Sequence, residues 1–269
     1  MTIGVVAALP AEARCLAAGR SRVGEMRVVS ERVLLHVAGI GPEAARTACE
    51  ALLGAGADAL VSWGIAAGLD SALAPGTLVV TDRVVAAPAR DGVRNAVGAA
   101  IGASLGAPVA LAADGRAPEY ESWPDRLAGR VRGSVPVARG VIACPSQVLH
   151  TAAQKRELAR CGALAADMES AAVAEAARCA GVPWLAVRAV ADAADVRLPL
   201  GIVRALDRQG RMRVTRLATA LLRHPWDITA MPPLARGYYA ALRTLRAVAY
   251  RAGPTLLAPV LTHVPGSAS

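Results

Sequence analysis

Glu169-Ser170-Ala171-Ala172-Val173-Ala174-Glu175-Ala176-Ala177-Arg178-Cys179-Ala180-Gly181-Val182-Pro183-Trp184-Leu185-Ala186-Val187-Arg188-Ala189-Val190-Ala191-Asp192 is the stretch that decides the fold. Its Ala-rich first half reads as a helix from about Glu169 to Ala180. Gly181-Val182-Pro183 then stops that helix and restarts the chain. Trp184–Val190 reads as a buried strand that delivers Ala191 and Asp192 at its carboxyl end.

The same helix-and-strand alternation runs back to the first residues. Ile3–Ala8 is predicted as a strand and Pro10–Ala18 as a helix with proline in its first turn. Val33–Ala38 runs as a strand into Gly39-Ile40-Gly41, and a helix follows over Pro42–Leu53. Ala59–Trp63 is a further strand leading into a small-residue loop with Gly64 and Gly68. Leu78–Val80 and Val137–Ala143 complete the predicted strands. Such alternation implies an α/β layered domain with ligands at the carboxyl ends of the strands. No third glycine follows Gly39 and Gly41 in register, so a dinucleotide fingerprint is weak.

The chain has 269 residues, 54% of them hydrophobic, 3% aromatic and none Phe. A core of Ala, Val and Leu is therefore expected. Residues 204–251 carry ten arginines against Asp207 and Asp227, which is +8 of the formal +9. The basic character belongs to one segment, where it suits phosphates or anionic headgroups. Within that segment 212–223 reads as a basic helix. Leu234–Arg251 reads as a second, with Leu234, Tyr238, Ala241, Leu242, Leu245 and Val248 on one face and Arg236, Arg243 and Arg251 opposite. The uncharged run 96–113, interrupted by Pro108, reads as loop plus helix and not as a membrane span. Five cysteines, Cys15, Cys49, Cys144, Cys161 and Cys179, fall at no metal-ligand spacing and suit a reduced cytoplasmic compartment. No basic-then-apolar leader opens the chain.

Four strand ends or helix starts hold the candidate chemistry: Glu12 after the first strand, Ser62-Trp63-Gly64-Ile65-Ala66-Ala67-Gly68-Leu69, Asp167-Met168-Glu169, and Arg188 to Asp195. Singly, the acidic residues read as helix-dipole partners or turn residues. Their order and spacing, together with Ile3-Gly4-Val5-Val6 and Ala38-Gly39-Ile40-Gly41, resemble the purine nucleoside phosphorylase/uridine phosphorylase superfamily over about residues 1–222. Within it they resemble the branch of the 5′-methylthioadenosine/S-adenosylhomocysteine nucleosidases.

That resemblance implies an α/β, three-layer phosphorylase/hydrolase-like fold. A central mixed sheet would be flanked by helices, with residues 223–269 as a basic amphipathic C-terminal helical extension. It implies an enzyme that cleaves the N-glycosidic bond of a purine nucleoside without metal or organic cofactor. Asp192 would protonate the base at N7 and Glu12 would activate water. Glu169 would accept hydrogen bonds from the ribose hydroxyls, with Met168 packed on the sugar and Arg188 bracing the carboxylates. Gly64, Ile65 and Val148 would line the substrate. Glycosidic cleavage builds positive charge on the ribose and negative charge on the base, and an acid at one end with a carboxylate at the other stabilises both. To hold a proton, Asp192 must be desolvated or close to another carboxylate, for which Asp195 is the candidate.

Glu12 favours water over phosphate as the nucleophile, whereas Arg14 keeps the phosphorolytic alternative. Ile65, Ala67 and Ala191 replace the small polar or glycine residues of the methylthioadenosine enzymes, and Ala143–Val148 lacks a stacking aromatic. With the Ala205–Arg211 segment and the basic helix, these features resemble the hopanoid-associated phosphorylase group. That resemblance implies adenosylhopane as the substrate and peripheral contact of the C-terminal helix with an anionic membrane. The alternatives are a housekeeping methylthioadenosine/adenosylhomocysteine nucleosidase and a non-catalytic nucleoside or nucleic-acid module, the latter disfavoured by the lack of a stacking platform. The family also implies a homodimer or larger assembly.

Overall fold

A computed structural model describes residues 1–87, 122–199, 201, 219 and 229–258. The expectations for 96–113 and 212–223 lie outside these residues. The described chain forms β1 (Ile3–Ala7), α1 (Pro10–Leu16), β2 (Met26–Ser30), β3 (Val33–Val37), α2 (Pro42–Gly54), β4 (Ala59–Gly68), β5 (Leu78–Thr81) and β6 (Val84–Ala87). It continues with α3 (Trp123–Val131), β7 (Val137–Arg139), β8 (Val141–Pro145), α4 (Ala152–Ala159), β9 (Ala163–Ala166), α5 (Ser170–Ala180), β10 (Trp184–Asp192) and α6 (Met231–Ala252).

The strands build one mixed sheet in the order β2-β3-β1-β4-β10-β5-β7, from which β9, β8 and β6 branch off β4. β1, β4 and β10 run parallel, with Ala7 beside Trp63 and Arg188 beside Gly64. Successive side chains of a strand point to opposite faces, and the core divides accordingly. Val5, Val61 and Val187 join residues of α1, α3 and α6 on one side. Val6 and Leu60 pack with Ala45, Cys49 and Leu52 of α2 and Val173 of α5 on the other. Helix, sheet and helix therefore form three layers.

Three sequence expectations change. Residues 64–68 are not a loop: β4 continues through them, pairing Ala67 with Asp192 of β10 and with Ala166 of β9. Val137–Ala143 is not one strand but two, split at Gly140, where a Cβ would lie 2.5 Å from Leu164 Cδ1. The C-terminal helix, expected as an extension, completes the main core. Ala241, Leu242, Leu245, Val248 and Ala252 are buried against α1, α3 and the sheet. Thr244 Oγ1 donates to the Gly76 carbonyl at 2.6 Å, and Trp123 Nε1 donates to the Leu256 carbonyl at 2.7 Å. Gly237 of α6 sits so close to the carbonyl of Ala191 that a Cβ there would collide with it. No helix among the described residues is long and apolar enough to cross a membrane.

Candidate active site

The site is built on the carboxyl ends of β1, β4 and β10. Pro10 starts α1 immediately after β1, and Glu12 falls in that helix's first turn. Glu12 Oε2 accepts from the Leu9 N–H at 2.8 Å, which satisfies one of the helix's orphan donors. Its Oε1 accepts from the Ile65 N–H at 3.0 Å, and Trp63 Nε1 donates to the Glu12 carbonyl at 3.0 Å. Glu12 is thus fixed from the α1 cap and from β4. Burial pushes its carboxyl above the usual range, against the Arg188 charge and the backbone N–H groups. Ile65 contributes its backbone N–H here.

Arg188 projects from β10 in register with Gly64 and is 1% exposed. Its Nη2 pairs with Asp167 Oδ2, donates to Ser62 Oγ at 2.6 Å and lies 3.7 Å from Glu169 Oε2. Nε donates to Ser170 Oγ at 3.3 Å, and Asp167 also accepts from the Ser170 hydroxyl at 2.6 Å and the Cys144 thiol at 3.1 Å. Burial works to lower the Arg188 pKa, but Asp167, Glu169 and Glu12 together hold it above its ordinary value. Nη1 remains buried without a hydrogen-bond partner among the described residues. A Cβ on Gly64 would collide with this Nη1 and fall 2.6 Å from Glu12 Oε1. Both groups therefore aim into one space above Gly64, which only glycine leaves open.

Glu169 lies 6% exposed at the start of α5, where Oε1 accepts from the Gly41 N–H at 2.8 Å. Burial, then the neighbouring Asp167, raises its pKa to about 7, while Arg188 and the Gly41 N–H oppose the rise. Met168 in the same turn and Val148 in the turn after β8 are half-buried. Tyr238 of α6 is close enough for the Glu12 charge, after burial, to raise its phenol.

Asp192 ends β10 at 9% exposure, past an irregularity that drops Ala191 from the pairing. Burial raises its pKa. The neighbour expected from the sequence, Asp195, is exposed. In its place stands Lys155, which the sequence reading missed. Lys155 is 0% exposed, and its Nζ pairs with Asp192 Oδ2 and donates to the Ala193 carbonyl at 2.7 Å. The available signal was its singularity, because it is the only lysine in the chain. Ser62, Ser170 and Gly41 fall within the stretches singled out above, but the sequence assigns them no individual role, as common residue types. Since Ala67 is the register partner of both Asp192 and Ala166, the Asp167–Glu169 turn lies on one flank of β4 and Asp192 on the other. Neighbouring strands are about 4.8 Å apart, so a ligand of about nucleoside size can touch both.

The mixed sheet between two helical layers is the phosphorylase/nucleosidase fold. The chain belongs to the Phosphorylase superfamily, whose family model matches residues 2–223. No curated protein sequence matches it. Among solved structures it is similar to the 5′-methylthioadenosine/S-adenosylhomocysteine nucleosidase of Neisseria meningitidis in complex with methylthio-immucillin-A. That match has 18% identity and a TM-score of 0.57, covering 92% of this chain and 97% of that one. A mutant Helicobacter pylori methylthioadenosine nucleosidase with 5′-methylthioadenosine in its active site matches at 17% identity and TM-score 0.56, over 93% and 98% of the two chains. The futalosine hydrolase of Helicobacter pylori matches at 17% and 0.56, over 93% and 97%. These likenesses establish the fold.

Proposed function

We propose that this protein hydrolyses the N-glycosidic bond of an adenine nucleoside. The observation that carries the reading is the convergence of Glu12 Oε1 and Arg188 Nη1 over Gly64, with Glu169 beside them and Asp192 across β4. As the C1′–N9 bond breaks, positive charge grows on the ribose, and ionised Glu169 accepts hydrogen bonds from its hydroxyls. Glu12 takes the proton of a water that Arg188 Nη1 orients. Asp192 protonates the base at N7, so that a neutral purine leaves.

Two observations favour water over phosphate. An anion at Arg188 Nη1 would face Glu12, with Glu169 on the other nitrogen of the same guanidinium, and Arg14 is exposed on α1. The chemistry assigned to these side chains calls for no cofactor. For the 5′ substituent we assign the pentacyclic hydrocarbon of adenosylhopane. The resemblance in the sequence and the apolar Ile65, Ala67 and Ala191 on the strand ends support it. Exposed Arg236, Arg243 and Arg251 with exposed Tyr239 and Tyr250 on α6 support contact with anionic headgroups. The test is adenine release from adenosylhopane in mixed micelles, methylthioadenosine and S-adenosylhomocysteine, each with and without phosphate. Adenosylhopane should turn over fastest and independently of phosphate. Preference for the small nucleosides would replace the lipid substrate, and adenine release that requires phosphate would replace water.

A further inference from the structure

Of thirty basic residues, twenty-nine are arginines, and the single lysine is the one buried against Asp192. The two cations differ in one respect that matters inside a protein: a guanidinium stays charged, whereas a buried ammonium can surrender its proton. Elsewhere on α4 and at its cap the chain uses arginine: Arg156 and the C-cap Arg160 are exposed, the latter paired with Glu157 at 2.8 Å. Lysine stands where the cation is buried against a carboxylate.

Its position is fixed. Thr151 caps α4 by accepting from the Gln154 N–H at 3.1 Å, and Gln154 Oε1 accepts from the Thr151 N–H at 3.1 Å. That reciprocal cap sets the first turn, from which Lys155 reaches the end of β10. Nζ touches Asp192 Oδ2 and the Ala193 carbonyl, an acceptor that holds the nitrogen whether it is ammonium or amine. Asp192 Oδ1 makes no hydrogen bond among the described residues and is left for a ligand. In so dry a place both charges are penalised, which brings the neutral amine–carboxylic acid pair closer in energy to the ion pair.

We propose that Lys155 is the proton reservoir for the leaving base, acting through Asp192. The proposal rests on the adenine-nucleoside reading above. When the C1′–N9 bond breaks, its electron pair goes to the purine. The Nζ proton passes to the Asp192 carboxylate, and Asp192 delivers a proton to N7 and returns to carboxylate. Lys155 is left as a neutral amine and regains its proton from solvent, while the proton taken by Glu12 from water leaves to solvent. Each turnover thus divides one water between ribose and purine. Lys155 is a positioning residue in this scheme, since only Asp192 meets the base.

The experiment compares wild type, Lys155→Met and Lys155→Arg on two leaving groups: adenine, in the fastest of the three nucleosides above, and 4-nitrophenolate, in 4-nitrophenyl ribofuranoside, which departs without a proton. Lys155→Met should lose adenine release about 100-fold or more, as expected for a lost general acid, while 4-nitrophenol release stays within about threefold. Added methylamine should restore adenine release, and Lys155→Arg should not. Equal loss on both leaving groups in a folded variant, no loss on adenine, or full rescue by arginine would each overturn the proposal. Wild type that releases adenine from none of the nucleosides would instead sink the parent reading, and this one with it. Should Lys155→Met fail to fold, ¹⁵N-lysine labelling of the full chain gives one Nζ signal. Its chemical shift should move in Asp192→Asn, and an unchanged shift would refute the pairing.

Discussion

Replacing Gly64 with alanine puts a methyl group into the space that Glu12 and Arg188 share. The new Cβ would lie 2.6 Å from Glu12 Oε1 and 2.8 Å from its Cδ, where ordinary contact begins near 3.4 Å. Arg188 has no retreat, being buried and tied to Asp167, Ser62 and Ser170. Glu12 must withdraw by about 0.8 Å, and the guanidinium that the methyl group also strikes must strain against its partners. Its bonds from Leu9 and Ile65, now 2.8 and 3.0 Å, would stretch toward the limit of hydrogen bonding. Hydrogen bonds to a charged group contribute about 1.5–3 kcal/mol each, and overpacking a tight site costs about 1–3 kcal/mol. A loss of about 2 kcal/mol in urea unfolding is expected. A displacement of about 1 Å at a reacting group costs about 100-fold in rate, so kcat for adenine release should fall by about that factor. Unfolding within about 0.5 kcal/mol of wild type and kcat within about threefold would mean that the two side chains do not converge over Gly64.

Glu169 makes stability depend on pH with a definite sign. Its folded pKa of about 7 lies above the ordinary 4.5, so its stabilising contribution is complete below 4.5 and lost as pH rises toward 7. Glu169→Gln should therefore flatten the fall in unfolding free energy between pH 5 and 8 by about 2 kcal/mol, read by urea titration; an unchanged slope contradicts the assignment. Because the ionised form receives the ribose hydroxyls, wild-type kcat/KM should climb through pH 7, and a flat profile from pH 6 to 8 would count against that role. Leu245→Ala should cost about 2–5 kcal/mol, as for any core leucine, and a loss under about 0.5 kcal/mol would return α6 to the status of an appendage.

The buried parallel strands and their two long helices were legible because their signals are local. Runs such as Val5-Val6 and Leu60-Val61 admit little but strand, and Gly181 in the left-handed region, at φ 66°, closes α5 where glycine is expected. Residues 64–68 misled for a physical reason. Small residues read as loop, yet here they are small because a buried strand is crowded by Glu12 and Arg188 at Gly64 and by Asp192 at Gly68. β2 escaped notice because it is an edge strand, with Val28 72% exposed, and is defined by its pairing with β3. The candidate carboxylates could be named because the order of their motifs resembles a known superfamily. Arg188 was named with them, but Lys155 was not, since Lys155 and Asp192 meet across 37 residues only through the fold. The lone lysine was visible, but its use depends on where the fold buries it.

The reading of this chain as a hydrolase of the adenine N-glycosidic bond is tested most directly by turning over adenosylhopane in ¹⁸O-water, with wild type and Asp192→Asn side by side. Wild type should give free adenine and one ¹⁸O at C1 of the released ribosyl product, with a loss in Asp192→Asn of about 100-fold or more. Adenine release at the wild-type rate by Asp192→Asn, or a ribosyl product without ¹⁸O, would contradict it.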